Sequence, residues 1–97
     1  MGLYTDDFLR MLRNKIKINQ VINILGLETR YSNGILRFRC PLCYSFHTAT
    51  NQETNLARCF DCEKNYNPID LVMATTRGNF VDTVEFLTKQ INGPKTS

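Results

Sequence analysis

Four cysteines in two closely spaced pairs are the residues of this chain best suited to bind a metal ion. The pairs are the segments Cys40–Cys43 (CPLC) and Cys59–Cys62 (CFDC), with 15 residues between them. A two-residue gap lets both thiolates of one turn face the same point, and the intervening segment returns the second pair to it. The spacing predicts one structural Zn²⁺ ion in a tetrahedral site. The predicted ligands are Cys40, Cys43, Cys59 and Cys62.

Disulfide bonds and redox chemistry are the other possible uses of these cysteines. Disulfides need an oxidising compartment, but the segment Met1–Arg13 has early acidic residues and lacks the apolar stretch of a secretory signal. A thioredoxin-like pair opens a helix within a βαβ unit, whereas these pairs lie among short strand-like segments. The only histidine, His47, follows Cys43 by four residues. Because four thiolates complete a tetrahedral shell, we interpret His47 as a strand residue outside the ligand set.

Length and charge limit the possible classes of protein. A chain of 97 residues forms one small domain, for which a hydrophobic core alone is barely sufficient and a metal cross-link is useful. No segment approaches the roughly 18 apolar residues of a membrane span, so we expect a soluble, cytoplasmic protein that does not bind membranes. The formal charge is +3, and zinc held by four thiolates contributes about −2, so net charge predicts no partner.

Helix and strand signals surround the cysteines. Helical spacing of apolar residues predicts helices over Tyr4–Lys15, with Thr5 as N-cap, and Gln20–Leu25, with Asn19 as N-cap and Gly26 at its end. Alternating patterns predict four strands, and Asn-Gly at positions 33 and 34 predicts a tight hairpin between the first two. The strands are expected over Leu27–Tyr31, Ile35–Arg39, Phe46–Asn51 and Thr54–Phe60.

Two more helices are predicted after the second cysteine pair. Asn67, Pro68 and Asp70 together form a helix-start signature, and this helix should end near Gly78. A final helix should begin at Asn79, with Asp82 in its first turn, and end at Gly93-Pro94. The predicted fold class is therefore α+β, a small antiparallel zinc-ribbon sheet flanked by N-terminal and C-terminal helices. The predicted parts are an amphipathic helix (1–15), a zinc-binding domain (16–92) and a tail (93–97).

Four segments, Arg39–Cys43, Ser45-Phe46, Arg58–Cys62 and Asn67–Val72, resemble the N-terminal zinc-binding domain of bacterial and phage-type DNA primases. That family has a Cys-Pro-x-His turn, a Ser-Phe strand start, a Cys-Phe-x-Cys turn and a Gly-Asn-x-Ile-Asp-Phe-like helix start. The resemblance spans roughly residues 16–91. The family's ligand histidine corresponds to Cys43 here, which makes the site a four-cysteine form, and the segment between Cys43 and Phe46 is shorter than usual.

The resemblance implies a non-catalytic zinc-binding module that binds single-stranded template DNA in primase-type replication of a chromosome, phage or mobile element. Its partner would be a catalytic primase domain or a helicase, in the same chain or another. Nothing in these residues matches the catalytic part of primases, so we expect no primer synthesis by them alone. The alternative is a zinc-ribbon adaptor that docks on a replication protein. A redox enzyme, or a hydrolytic one using Asp61, Glu63 and Asp70, is a weaker hypothesis because no nucleophile–base pair is visible.

A cluster of basic and aromatic residues is the candidate DNA-binding surface. Arg37 and Arg39 alternate with Leu36 and Phe38, so a strand would place both guanidinium groups on one face. Such a face can be an ordinary solvated surface whose arginines offset the zinc–thiolate charge. Alternatively, the arginines bind phosphates while aromatic rings stack on unpaired bases, which the resemblance favours. The candidate DNA contacts are Arg37, Arg39, Arg58, Phe46, Phe60, Lys64 and Tyr66.

Overall fold

The computed structural model describes residues 4–92, which form four helices and two small antiparallel sheets. The helices are α1 (Asp6–Lys15), α2 (Ile18–Leu25), α3 (Pro68–Thr76) and α4 (Phe80–Asn92). The strands are β1 (Thr29–Ser32), β2 (Ile35–Phe38), β3 (Thr48–Asn51), β4 (Leu56–Cys59) and β5 (Lys64–Tyr66). The predicted α+β class is confirmed. The predicted end of α4 at Gly93-Pro94 and the predicted tail lie outside the described residues.

Most of the predicted helix starts are confirmed by their caps. The Thr5 hydroxyl accepts a hydrogen bond from the Phe8 backbone N–H at 3.0 Å, at the start of α1. Asn67 and Asp70 form a reciprocal capping box at the start of α3, with Pro68 as its first residue. Each such bond satisfies a backbone donor that has no partner within the helix.

Helix α2 begins two residues earlier than predicted, so the prediction of Asn19 as its cap is wrong. The Ile18 N–H donates to the Asn55 side-chain oxygen at 2.7 Å, and Asn55 lies in the turn between β3 and β4. A side chain that is distant in sequence therefore caps this helix. At its other end Gly26 has a φ of 71°, a left-handed conformation that glycine adopts at little cost, as predicted.

The first sheet is the predicted hairpin of β1 and β2. Asn33 and Gly34 have φ values of 54° and 78°, the left-handed pair that a two-residue hairpin turn of this type requires. The second sheet has the order β3-β4-β5. Strand β5 was not predicted, because three residues with two polar side chains give no alternating pattern.

Threonine side chains join the two sheets where β2 runs beside β3. The Thr48 hydroxyl donates to the Phe38 carbonyl and accepts from the Phe38 N–H, both at 2.8 Å. The Thr50 hydroxyl donates to the Leu36 carbonyl at 3.1 Å. These bonds take the place of a backbone ladder and hold the hairpin against the ribbon.

The helices pack over the inner face of the sheets around one apolar core. Val21, Leu71, Val84 and Leu87 are each at most 1% exposed. The inner sheet face adds Phe38, Ala57 and Cys59 to the same cluster. Within residues 4–92, no helix is both long enough and apolar enough to cross a membrane.

Candidate metal centre and nucleic-acid interface

The four cysteine sulfurs converge at the end of the ribbon formed by β3, β4 and β5. All four Sγ atoms lie within 4.8 Å of one another. The Cys40–Cys62 and Cys43–Cys59 sulfur pairs are 3.8 and 3.5 Å apart. Tetrahedral zinc with Zn–S bonds of about 2.3 Å places its sulfurs about 3.8 Å apart. A disulfide needs about 2.05 Å, and all four cysteines are free. The geometry therefore fits one structural Zn²⁺ ion.

In each cysteine turn a backbone N–H points at the first sulfur, and a left-handed residue follows the turn. The Leu42 N–H points at the Cys40 sulfur and the Cys62 N–H at the Cys59 sulfur, each at 3.4 Å. The residues that follow the turns, Tyr44 and Glu63, are left-handed, with φ values of 65° and 56°. A glycine at either position would have signalled this conformation in the sequence, but neither is a glycine.

Tyr66, one of the candidate DNA contacts, lies beside the metal ligands and is not at the surface. It is 3% exposed, and its hydroxyl lies 3.4 Å from the Cys40 sulfur. Burial raises the pKa of the Cys40 thiol, but the Tyr66 hydroxyl and the backbone N–H groups of Cys43 and Leu42 outweigh it and lower that pKa to about 7. Because a ring that is 3% exposed has no free face on which a base can stack, the expectation that Tyr66 contacts DNA is corrected.

His47 lies outside the ligand group, as predicted. Its Nδ1 atom is 3.0 Å from a carboxylate oxygen of Asp61, and both side chains are exposed. A hydrogen bond from the Ser45 hydroxyl, together with the His47 contact, holds the pKa of Asp61 below its usual range. Asp70 caps α3, so these acidic groups have structural partners.

The outer face of the two sheets, opposite the core, carries most of the predicted basic and aromatic residues. Strand register pairs Arg30 with Arg37, and Arg58 with both Ala49 and Asn65, so each row lies on one face. Along β2 and β4 the arginines alternate with buried residues, which are Leu36, Phe38, Ala57 and Cys59. The side chains in these rows therefore face away from the core.

Arginines flank the two aromatic rings of this surface. The Arg30 guanidinium lies 4.0 Å from the centroid of the Phe46 ring and that of Arg39 lies 5.2 Å from it. The Arg58 guanidinium lies 5.6 Å from the Phe60 centroid. We call Arg30, Arg37, Arg39, Arg58, Phe46 and Phe60 the basic–aromatic face. Arg30 was missed in the sequence, although its position opposite Arg37 in the hairpin could have revealed it.

The expectation that Lys64 lies with Arg58 is wrong, and Arg37 has a partner within the protein. Lys64 pairs in register with Cys59, whose side chain faces the core, so Lys64 lies on the face opposite to Arg58. Arg37 donates a hydrogen bond from Nη1 to the Thr48 carbonyl, so it also joins β2 to β3. Arg39 forms an ion pair with Glu28 at 2.6 Å.

Fold and site together define a four-cysteine zinc ribbon with helices packed on one side. The sequence matches the CHC2 zinc finger, the zinc ribbon of DnaG-type primases, over residues 4–95. Because the match covers nearly the whole chain, the protein belongs to this family. No curated protein and no solved structure matches the chain.

Proposed function

We propose that this protein is a non-catalytic module that binds single-stranded template DNA for a primase. The zinc ion holds the ribbon, and the ribbon presents its basic–aromatic face to the strand. The protein would act in the cytoplasm, where replication takes place and thiols stay reduced. Its partner would be a catalytic primase domain or a helicase, in the same polypeptide or another.

The observation that carries this proposal is the grouping of arginines with aromatic rings on one face. Arg30 and Arg39 flank Phe46, and Arg58 adjoins Phe60, which is 41% exposed. Single-strand binders combine charges that follow the phosphates with rings that stack on bases of any sequence. Arginine supports both interactions, since it binds phosphate through its planar fork and also stacks on bases.

Salt-dependent binding of labelled oligonucleotides tests the proposal. Arg30→Ala, Arg39→Ala and Arg58→Ala should each weaken binding and reduce the slope of log K against log salt by up to about 0.7 for each phosphate that is no longer neutralised. Zinc content should not change. Arg10→Ala is the matched control, because Arg10 is an exposed arginine on α1, outside the sheets. Arg37→Ala is less informative, since it also removes the bond to Thr48.

Two outcomes would contradict the proposal. If the zinc-loaded protein binds no oligonucleotide even at low salt, the adaptor hypothesis takes its place. If all three variants bind as tightly as the wild type, the arginines belong to an ordinary solvated surface.

A primer-synthesis assay tests the absence of catalysis. The pure chain, given template, nucleotides and Mg²⁺ or Mn²⁺, should make no primer, because residues 4–92 bring together no acidic cluster of the kind that holds metal ions for nucleotidyl transfer. Adding the catalytic primase domain from the same genome should give synthesis that this protein stimulates, and replacing a cysteine ligand should remove the stimulation. Primer synthesis by the isolated chain would overturn the assignment.

A further inference from the structure

A shallow groove crosses the outer face of the ribbon between two exposed apolar side chains. It has a volume of about 290 Å³ and crosses β3, β4 and β5. Leu56 and Phe60 stand at its ends and are 37% and 41% exposed. Ala49 forms part of its floor, and its small side chain leaves room above the sheet. A flat ring can lie there against the exposed part of Phe60.

The centre of this groove presents hydrogen-bond donors. Arg58 and Asn65 lie side by side in register, and Arg58 Nη1 donates to the Asn65 side-chain oxygen at 3.2 Å. Arginine has no acceptor, so this hydrogen bond fixes the orientation of the Asn65 amide. Its oxygen already accepts one hydrogen bond from Arg58, and its NH₂ group is left to donate. The remaining N–H groups of the Arg58 fork are donors too.

Two neighbouring hydrogen-bond donors can distinguish guanine from adenine. The major-groove edge of guanine offers two adjacent acceptors, N7 and O6, whereas adenine offers N7 beside a donating amino group. The two purines have the same ring system, so both can stack on Phe60. Only guanine can accept from both donors, while the adenine amino group would meet another donor.

We propose that this groove binds one unpaired guanine of the DNA strand in preference to adenine, with Phe60 stacking on the base and Arg58 and Asn65 bonding to its edge. The proposal rests on the proposed single-strand binding and adds a base preference to it.

Fluorescence anisotropy with two oligonucleotides tests this preference. The zinc-loaded full chain is titrated with oligothymidylate carrying one central guanine, and with the same strand carrying one central adenine. The guanine strand should bind at least about 5-fold more tightly, the discrimination expected of a good bidentate contact. Arg58→Lys keeps the charge but removes the fork, so the ratio of the two affinities should fall to about 1. Asn65→Ala should also lower this ratio.

Asn14→Ala is the control, because Asn14 is an exposed asparagine on α1 and its replacement should leave the ratio as in the wild type. Equal wild-type affinity for the two strands, or tighter binding of adenine, would overturn the base preference while leaving single-strand binding intact. If both Arg58→Lys and Asn65→Ala keep the wild-type ratio of the two affinities, the preference for guanine belongs to another surface. Binding to neither strand would instead refute the proposed function itself.

Discussion

The helical half of this domain and its ribbon are held together by different interactions. Between the helices, apolar side chains such as Leu71 and Leu87 are fully buried, and their contribution is roughly proportional to the area removed from water. In the ribbon, the buried groups include two cysteine ligands, Thr48 and Asn55, each 7% exposed or less. Buried polar groups of this kind stabilise the fold only when each has a hydrogen-bond partner or a metal ion to bind. The ribbon should therefore lose more stability than the helical half when a single metal ligand or hydrogen-bonding group is removed.

Removal of zinc should have the largest effect. Apparent binding energies of structural zinc are about 10–16 kcal/mol in zinc-finger peptides, comparable with the whole stability of a small domain. Chelation, or Cys59→Ser, should unfold the ribbon and lower the melting temperature sharply, as circular dichroism can measure. Elemental analysis should find one zinc per reduced chain.

His47→Ala is the matched control for the ligand set and should leave the zinc content unchanged. Reduced protein without metal, or a His47 variant that loses zinc, would show that the ligand assignment is wrong.

Replacement of Asn55 should have the next largest effect. Its side chain accepts from the Ile18 N–H and donates to the Arg13 and Ile16 carbonyls, and its own φ is 57°. Asn55→Ala removes three hydrogen bonds and keeps an unfavourable backbone conformation, so it should lower the free energy of unfolding by about 3 kcal/mol or more. Urea denaturation measures this change.

Asn55→Gly separates the two contributions. Glycine accepts the left-handed backbone, so this variant should be more stable than Asn55→Ala but still less stable than the wild type. Equal stability of wild type and Asn55→Ala would mean that the turn does not hold the helices to the ribbon.

The threonine junction between the sheets should show a smaller effect. Thr48→Val keeps the shape but leaves the N–H and carbonyl of Phe38 without their partner, at a cost of about 2 kcal/mol. Thr50→Val removes one bond at a less buried position and should cost about 1 kcal/mol or less. If urea denaturation ranks the two in the opposite order, burial does not control the strength of this junction.

Local signals explain what the sequence could predict. The cysteine spacing, the Asn33-Gly34 turn and the Asn67–Asp70 cap each lie within a few residues, so their geometry follows from the residues themselves. The cap of α2, the threonine junction and the burial of Tyr66 could not be read in this way. Asn55 and Ile18 are 37 residues apart, and Tyr66 and Cys40 are 26 apart. Such contacts depend on how distant segments pack together, which local sequence patterns do not specify.

In the proposed mode of binding, the zinc-held ribbon presents its outer face to single-stranded DNA, while its inner face and the helices form the support. Amide chemical-shift mapping of the zinc-loaded protein during titration with oligothymidylate tests it most directly. The largest shifts should fall at Arg30, Arg39, Arg58 and Phe60, with small changes at Leu71 and Leu87 in the helical core. Shifts confined to the helices, or none at saturating oligonucleotide, would contradict the account.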